Sequence, residues 1–179
     1  ASHYEKLLGH TDFASARTNV QKAIELQPEG PDTRMLLAEI ETVAGDYDAA
    51  IAAADASVAL GDMARSYAWR CMIRTIANRD LAEKALPDCN MAVQIEPTYP
   101  DGLSARGMLY ERLGRHKEAI ADFNAAMTLT GRAVIPIYGR AIAEKKLGMK
   151  GPAEADFAFA KYLSPGVAKW FGTPEMLMH

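Results

Sequence analysis

The chain has 179 residues, 49% of them apolar but only 8% aromatic, and carries a net charge of −3. That length makes one domain the expectation, and the mild acidic balance argues against a nucleic-acid surface, which shows a basic excess. No stretch approaches about 18 consecutive apolar residues, so the sequence predicts no membrane span.

Tyr4, Leu7 and Leu8 mark residues 1–9 as the end of a helix, and Thr11 and Asp12 are N-cap candidates for the next. That helix runs through Phe13, Ala16, Val20, Ala23, Ile24 and Leu26 and stops before Pro28. Pro31 suits the first turn of the following helix, where its missing N–H would have no partner anyway; Leu36, Leu37, Ile40 and Val43 are its apolar residues. Gly45 turns the chain, Asp46 or Asp48 caps, and Ala49–Leu60 forms another helix. An extra residue near Asp62–Arg65 precedes a helix over Arg65–Ala77 that carries Trp69.

Pro87 then falls in a helical window, where an interior proline costs about 3 kcal/mol. The sequence predicts either a kink there, or a short turn at Leu81–Leu86 with the main helix starting at Pro87. Pro100–Gly131 is the most regular stretch: a helix, a tight turn at Gly114, and a second helix with Ala119, Ile120, Phe123, Ala126 and Met127 on one face. Val134–Pro165 repeats the arrangement. There Pro136 and Pro152 fall in first turns, and Gly139 either weakens its helix or admits a close approach. Gly166–Phe171 predicts a short helix whose Trp170 and Phe171 cover the last pair, and the apolar tail GTPEMLMH either packs back or belongs to a partner surface.

The residues that end the second helix of each pair, Pro28, Asp62, Pro97, Gly131 and Pro165, are spaced by 34, 35, 34 and 34 residues. Twelve before each stands alanine (Ala16, Ala50, Ala85, Ala119, Ala153), and five before stand Ala23, Ser57, Ala92, Ala126 and Ala160. Small residues at fixed places let helices approach closely. The spacing divides the chain into a partial repeat at 1–30, repeats at about 31–64, 65–99, 100–133 and 134–165, and a cap or tail at 166–179. In this frame Ala1 falls inside a first helix, as in a processed product or an excised piece of a longer protein.

The stretches AGDYDAAIAAADASVALG (44–61), LGRHKEAIADFNAAMTLTG (113–131) and LGMKGPAEADFAFAKYLSP (147–165) resemble the tetratricopeptide repeat (TPR) family. The resemblance implies an all-α solenoid: antiparallel helix pairs stacked in a right-handed superhelix, with first helices lining a concave groove and a short capping helix at the C-terminal end. It implies a groove lined by Tyr67, Arg70, Arg74, Asn78, Ser104, Met108, Arg112, Tyr138, Ile142 and Lys145, with Met35, Glu39, Thr42, Asp101 and Lys146 also on first-helix faces. Arg70 and Arg74 lie one turn apart, so both can point at one carboxylate. The asparagines of the family's carboxylate clamp are not in place, so capture of a chaperone C-terminus is not supported.

Arg106 and Asp122 are 16 apart, as are Arg140 and Asp156, and the two pairs occupy equivalent positions. A buried charge needs a partner, so these read as ion pairs within each repeat. Cys71 and Cys89 fall on the two helices of one repeat, either as small core residues or as a disulfide, which leaves the redox compartment open. His3, His10, His116 and His179 have no metal-ligand spacing, and no phosphate-binding, hydrolase or zinc-protease motif is present. The expectation is therefore a binding module with no catalytic residues and no cofactor, holding a peptide or helix of a partner protein as a scaffold or adaptor. The alternative is a structural appendage of a larger protein, or one that self-associates through its C-terminal tail. The alanine-rich, lysine-poor style resembles bacterial members of the family, with the periplasm as the expected compartment and the cytoplasm as the alternative.

Overall fold

The computed structural model describes residues 13–28, 30–61, 63–77, 79–131 and 133–171. The expected helix end at 1–9, its N-cap candidates Thr11 and Asp12, Asn78, the side chain of Trp170 and the tail at 172–179 lie outside them. Among the described residues every regular element is helical, and no helix is long and apolar enough to cross a membrane. The chain forms two compact units, Ala1–Asp62 and Met63–His179.

The first unit contains α1 (Phe13–Leu26), α2 (Pro31–Ala44) and α3 (Tyr47–Leu60). Helix α2 opens on Pro31 and closes at Gly45, whose φ of 83° lets its N–H reach the Thr42 carbonyl while Asp46 N–H reaches Glu41 O. The Asp46 carboxylate then accepts from Ala49 N–H at 3.1 Å, so α3 begins two residues earlier than its apolar pattern predicts. Ala38, Ala50 and Ala54 are fully buried between α2 and α3, and Ser57 Oγ donates to Pro31 O across them. Arg17 of α1 grips Glu41 of α2 through Nε at 2.7 Å and through Nη2. Met35 and Thr42, expected on a groove face, are instead buried, and the Thr42 hydroxyl donates to Ala38 O within its own helix.

The second unit is three helical hairpins and a terminal turn: α4 (Ala64–Ala77) with α5 (Arg79–Ile95), α6 (Pro100–Arg112) with α7 (His116–Thr130), α8 (Val134–Lys146) with α9 (Lys150–Leu163), and a 3-10 turn at Val167–Phe171. First helices pack on first helices, α4 on α6 and α6 on α8, while α8 also packs on α7. Helix α5 runs unbroken through Pro87, so the alternative of a separate turn at Leu81–Leu86 does not occur. Burial of Ala82, Ala85 and Cys89 against α4 and α6 offsets the backbone hydrogen bond that the proline cannot make. Cys71 and Cys89 form a disulfide between α4 and α5, with Cα atoms 5.2 Å apart and both side chains fully buried.

The core of this unit centres on Phe123 of α7, which is 0% exposed. Its ring lies between two glycines on neighbouring first helices. A Cβ on Gly107 of α6 would stand 2.7 Å from Phe123 Cε1, and one on Gly139 of α8 would press into the tip of the same ring, 2.8 Å from both Cε atoms. The close approach expected at Gly139 is therefore met by Phe123. Tyr138, Met108, Ile142, Val167 and Phe171 complete the cluster, with Tyr138 edge-on to Phe157 at 5.1 Å and tilted on Phe171 at 5.3 Å.

Alanine in place of a mid-helix glycine ordinarily stabilises by about 1 kcal/mol. Gly139→Ala should instead destabilise by about 1–3 kcal/mol, because the added methyl overpacks the ring. Gly151→Ala in α9, where a Cβ meets open space, serves as the control in urea unfolding, and Phe123→Leu should restore part of the loss in a double-mutant cycle. Opening the Cys71–Cys89 bridge by the Cys71→Ala plus Cys89→Ala change should cost about 2–4 kcal/mol in the same assay.

Candidate partner-binding surface

Apart from Met35, Glu39 and Thr42 on α2, the sequence-derived groove residues that fall in described parts of the chain lie on α4, α6 and α8, within the second unit. Tyr67 is half-buried with the Arg70 guanidinium over its ring at 5.6 Å. Arg70 and Arg74 do converge on one carboxylate, which is the chain's own Asp88 of α5: Arg70 Nε lies 2.9 Å from Oδ2 and Arg74 Nη1 lies 2.7 Å from it. Asp88 is 4% exposed, so these arginines neutralise a buried acid while keeping part of their own surface.

The same device recurs along the unit. Arg106 forks Asp122 at 2.7 and 2.8 Å, and Arg140 forks Asp156 at 2.6 and 2.9 Å. Bidentate pairing fixes both geometry and charge, and it raises the pKa of each arginine, Arg106 and Arg140, chiefly through the hydrogen bond to its aspartate. Arg140 also donates through Nη1 to Asn124 Oδ1 of α7 at 2.7 Å, tying one hairpin to the next.

Other expected groove residues turn inward. Ser104 is buried and its hydroxyl donates to Pro100 O one turn back, which leaves it closed to a ligand. Met108 is 5% exposed and belongs to the Phe123 cluster, because α8 lies over its side of α6. Arg112 is half-buried at the end of α6, beside Glu111, whose carboxyl is raised by burial against the opposing pull of Lys146 and Arg112. His116, at the start of α7, is held below the ordinary histidine value by burial first and by Lys146 second.

Tyr138, Ile142 and Lys145 do come together, at a recess of about 470 Å³ between α8 and α9. It is lined by Tyr138, Ile142, Phe157 and Ala158 together with Lys145, Lys146, Lys161 and Glu154, with Tyr138 and Ile142 each only 3% exposed. The α9 residues were missed because second helices were assigned wholly to packing. The signal that locates them is the 34-residue register, which places Phe157 opposite the position of Phe123.

Glu144, on the same turn of α8, is 6% exposed, and its Oε2 has no hydrogen-bond partner among the described residues. Burial pushes its carboxyl up, nearby Asp156 pushes the same way, and Arg140, at 3.8 Å, opposes them. The folded state therefore holds this proton more tightly than the unfolded chain does. The stabilisation from this group is present at low pH and is lost as pH rises through its raised value. Glu144→Gln should accordingly raise the unfolding midpoint at about pH 7.5, with a gain that disappears below about pH 4, the ordinary glutamate range.

Two tetratricopeptide repeat models match the chain, one over residues 6–64 and one over 101–131, together half of its length. TTC0263, a thermophilic TPR protein in Thermus thermophilus, is 20% identical over 97% of this chain and 95% of its own, with a TM-score of 0.75. A chain of the APC/C hetero-tetramer Cut9-Hcn1 is 18% identical with a TM-score of 0.79, over 92% of this chain but 32% of its own. YrrB, described as a TPR protein with an unusual peptide-binding site, is 15% identical over 98% and 86%, with a TM-score of 0.60. No curated protein matches. At these identities the likeness is one of fold, and with the two family matches it places the chain in the tetratricopeptide repeat family, an all-α solenoid that serves as a protein–protein interaction module.

Proposed function

We propose that the chain is a scaffold or adaptor that holds a peptide or helix of a partner protein against its first helices α4, α6 and α8. The observation that carries this reading is the meeting of Tyr138, Ile142 and Lys145 at one recess whose lining mixes apolar and charged side chains. Such a mixture of apolar lining and few polar groups is the usual form of a ligand seat. Tyr67, Arg74 and Arg112, which retain exposed surface, extend the face along α4 and α6. Stacked helices whose seams are pinned by Arg–Asp forks present such a face ready-formed, so little ordering cost opposes binding. YrrB's described peptide-binding site supports the same use of the fold. The module works by binding rather than by catalysis, as members of the family typically do.

Selection of peptides from a random library on the immobilised chain, followed by hydrogen exchange of the bound complexes, tests this. Protection is expected on α8 and on the neighbouring turns of α6 and α4. Protection confined to the outer surfaces of α5 and α7, or failure to select any peptide, would remove the assignment.

A further inference from the structure

The hairpin α4–α5 lacks two devices found in α6–α7. One 34-residue step before Phe123 stands Cys89, and one step before Gly107 and Gly139 stand Ile73 and Ala105. The two glycines that admit the ring are thus replaced by larger residues, and both replacements are buried. A ring at position 89 would meet the Ala105 methyl, the atom that Gly139 omits. The arginine of the regular fork is missing as well, since Met72 stands one step before Arg106.

A covalent bond takes the place of the ring. Cys71 and Cys89 join α4 to α5 with Cα atoms 5.2 Å apart, inside the range that a disulfide spans without backbone movement. Ala82, Ala85, Ala105 and Leu109 close around the sulfurs, and both cysteines are 0% exposed. A thiolate in solvent cannot attack a sulfur that solvent does not reach. The bond also lies at the root of a charged cluster. Arg70 precedes Cys71 on α4, and Asp88 precedes Cys89 on α5. Arg70 and Arg74 meet Asp88 at 2.9 and 2.7 Å and keep 16% and 21% of their own side-chain surface exposed. Fixing the two cysteines therefore fixes where acid and arginines meet, and with it the α4 end of the partner face.

We infer that the chain is a substrate of oxidative folding: a disulfide donor closes Cys71–Cys89 in an oxidising compartment while the hairpin is still open, and the folded chain then keeps the bond sealed. The thiolate of one cysteine attacks the donor's disulfide to give a mixed disulfide, and the thiolate of the other displaces the donor's sulfur. The pair gives up two electrons and two protons, and the donor's two sulfurs leave as thiols. Disulfides persist in oxidising compartments and are rare where thiols are kept reduced, which sets the compartment. The consequence for partner binding rests on the reading of α4 as part of the partner face; the oxidation itself does not.

Acid quenching of the cells that make the chain, followed by alkylation in denaturant, should find Cys71 and Cys89 joined; free thiols there overturn the inference. In the purified chain, dithiothreitol should leave the bond closed in native buffer and open it in guanidinium chloride. Opening at the same rate in both overturns the sealed bond. Chain refolded in reductant should exchange the amides of α4 and α5 at least about tenfold faster than chain refolded with oxidised glutathione, with α8 and α9 least affected. Cys71→Ala plus Cys89→Ala should exchange as fast as the reduced chain, with or without the oxidant. Equal protection of α4 and α5 in oxidised and reduced chain overturns the inference. Library peptides that protect α4 should bind the reduced chain more weakly; equal binding to both forms overturns the role of the bond in the partner face. If no peptide is selected at all, the interaction reading falls, and alkylation and exchange still decide for or against the oxidation.

Discussion

The second unit is built around a single ring held between two missing side chains. Phe123 fits between α6 and α8 only because positions 107 and 139 carry no Cβ. The contact fixes more than distance. It sets the rotation of three helices at once, since a shift of one residue in either first helix would bring Met108 or Tyr138 against the ring in place of a glycine. Close packing of this kind transmits registration from hairpin to hairpin, because an interior at crystal-like density cannot absorb a displaced side chain.

With registration fixed, charge can be placed inside the seams. Asp88, Asp122 and Asp156 are each largely buried and each met by an arginine of the facing first helix. Removing one partner of such a pair leaves an uncompensated buried charge, which costs far more than the pair itself contributes. The arginines are therefore part of the scaffold. Glu144 is the exception within the seams, a second carboxylate beside one guanidinium, and burial first and Asp156 second make it hold its proton more tightly.

The period made the helices and their order legible, since apolar spacing and the prolines and glycines that end helices are local properties. The Arg106–Asp122 and Arg140–Asp156 partners were legible for the same reason: two residues 16 apart meet across a hairpin of constant length. The partners of Asp88 were not: it stands 34 residues before Asp122, but the arginines that meet it, Arg70 and Arg74, lie two residues either side of the regular position 72. Ser104 and Met108 were placed on an open face because the family resemblance assigns a first-helix face to the groove without naming the neighbour that covers it. Continuity of α5 through Pro87 depends on tertiary contacts with α4 and α6 that local propensity does not contain. The pairing of Cys71 with Cys89 rests on Cα separation, which sequence spacing left undecided.

That disulfide lies in the hairpin whose interior proline and displaced arginines, Arg70 and Arg74, set it apart from the other two. It is the one junction whose hold depends on the electron supply of its surroundings. Where thiols are kept reduced, α4 and α5 rely on packing and the Arg70–Asp88–Arg74 contacts alone, while the hairpins of α6–α7 and α8–α9 keep their own Arg–Asp forks. Redox poise thus acts directly on the first hairpin of the unit and reaches the others only through the packing of α4 and α5 on α6.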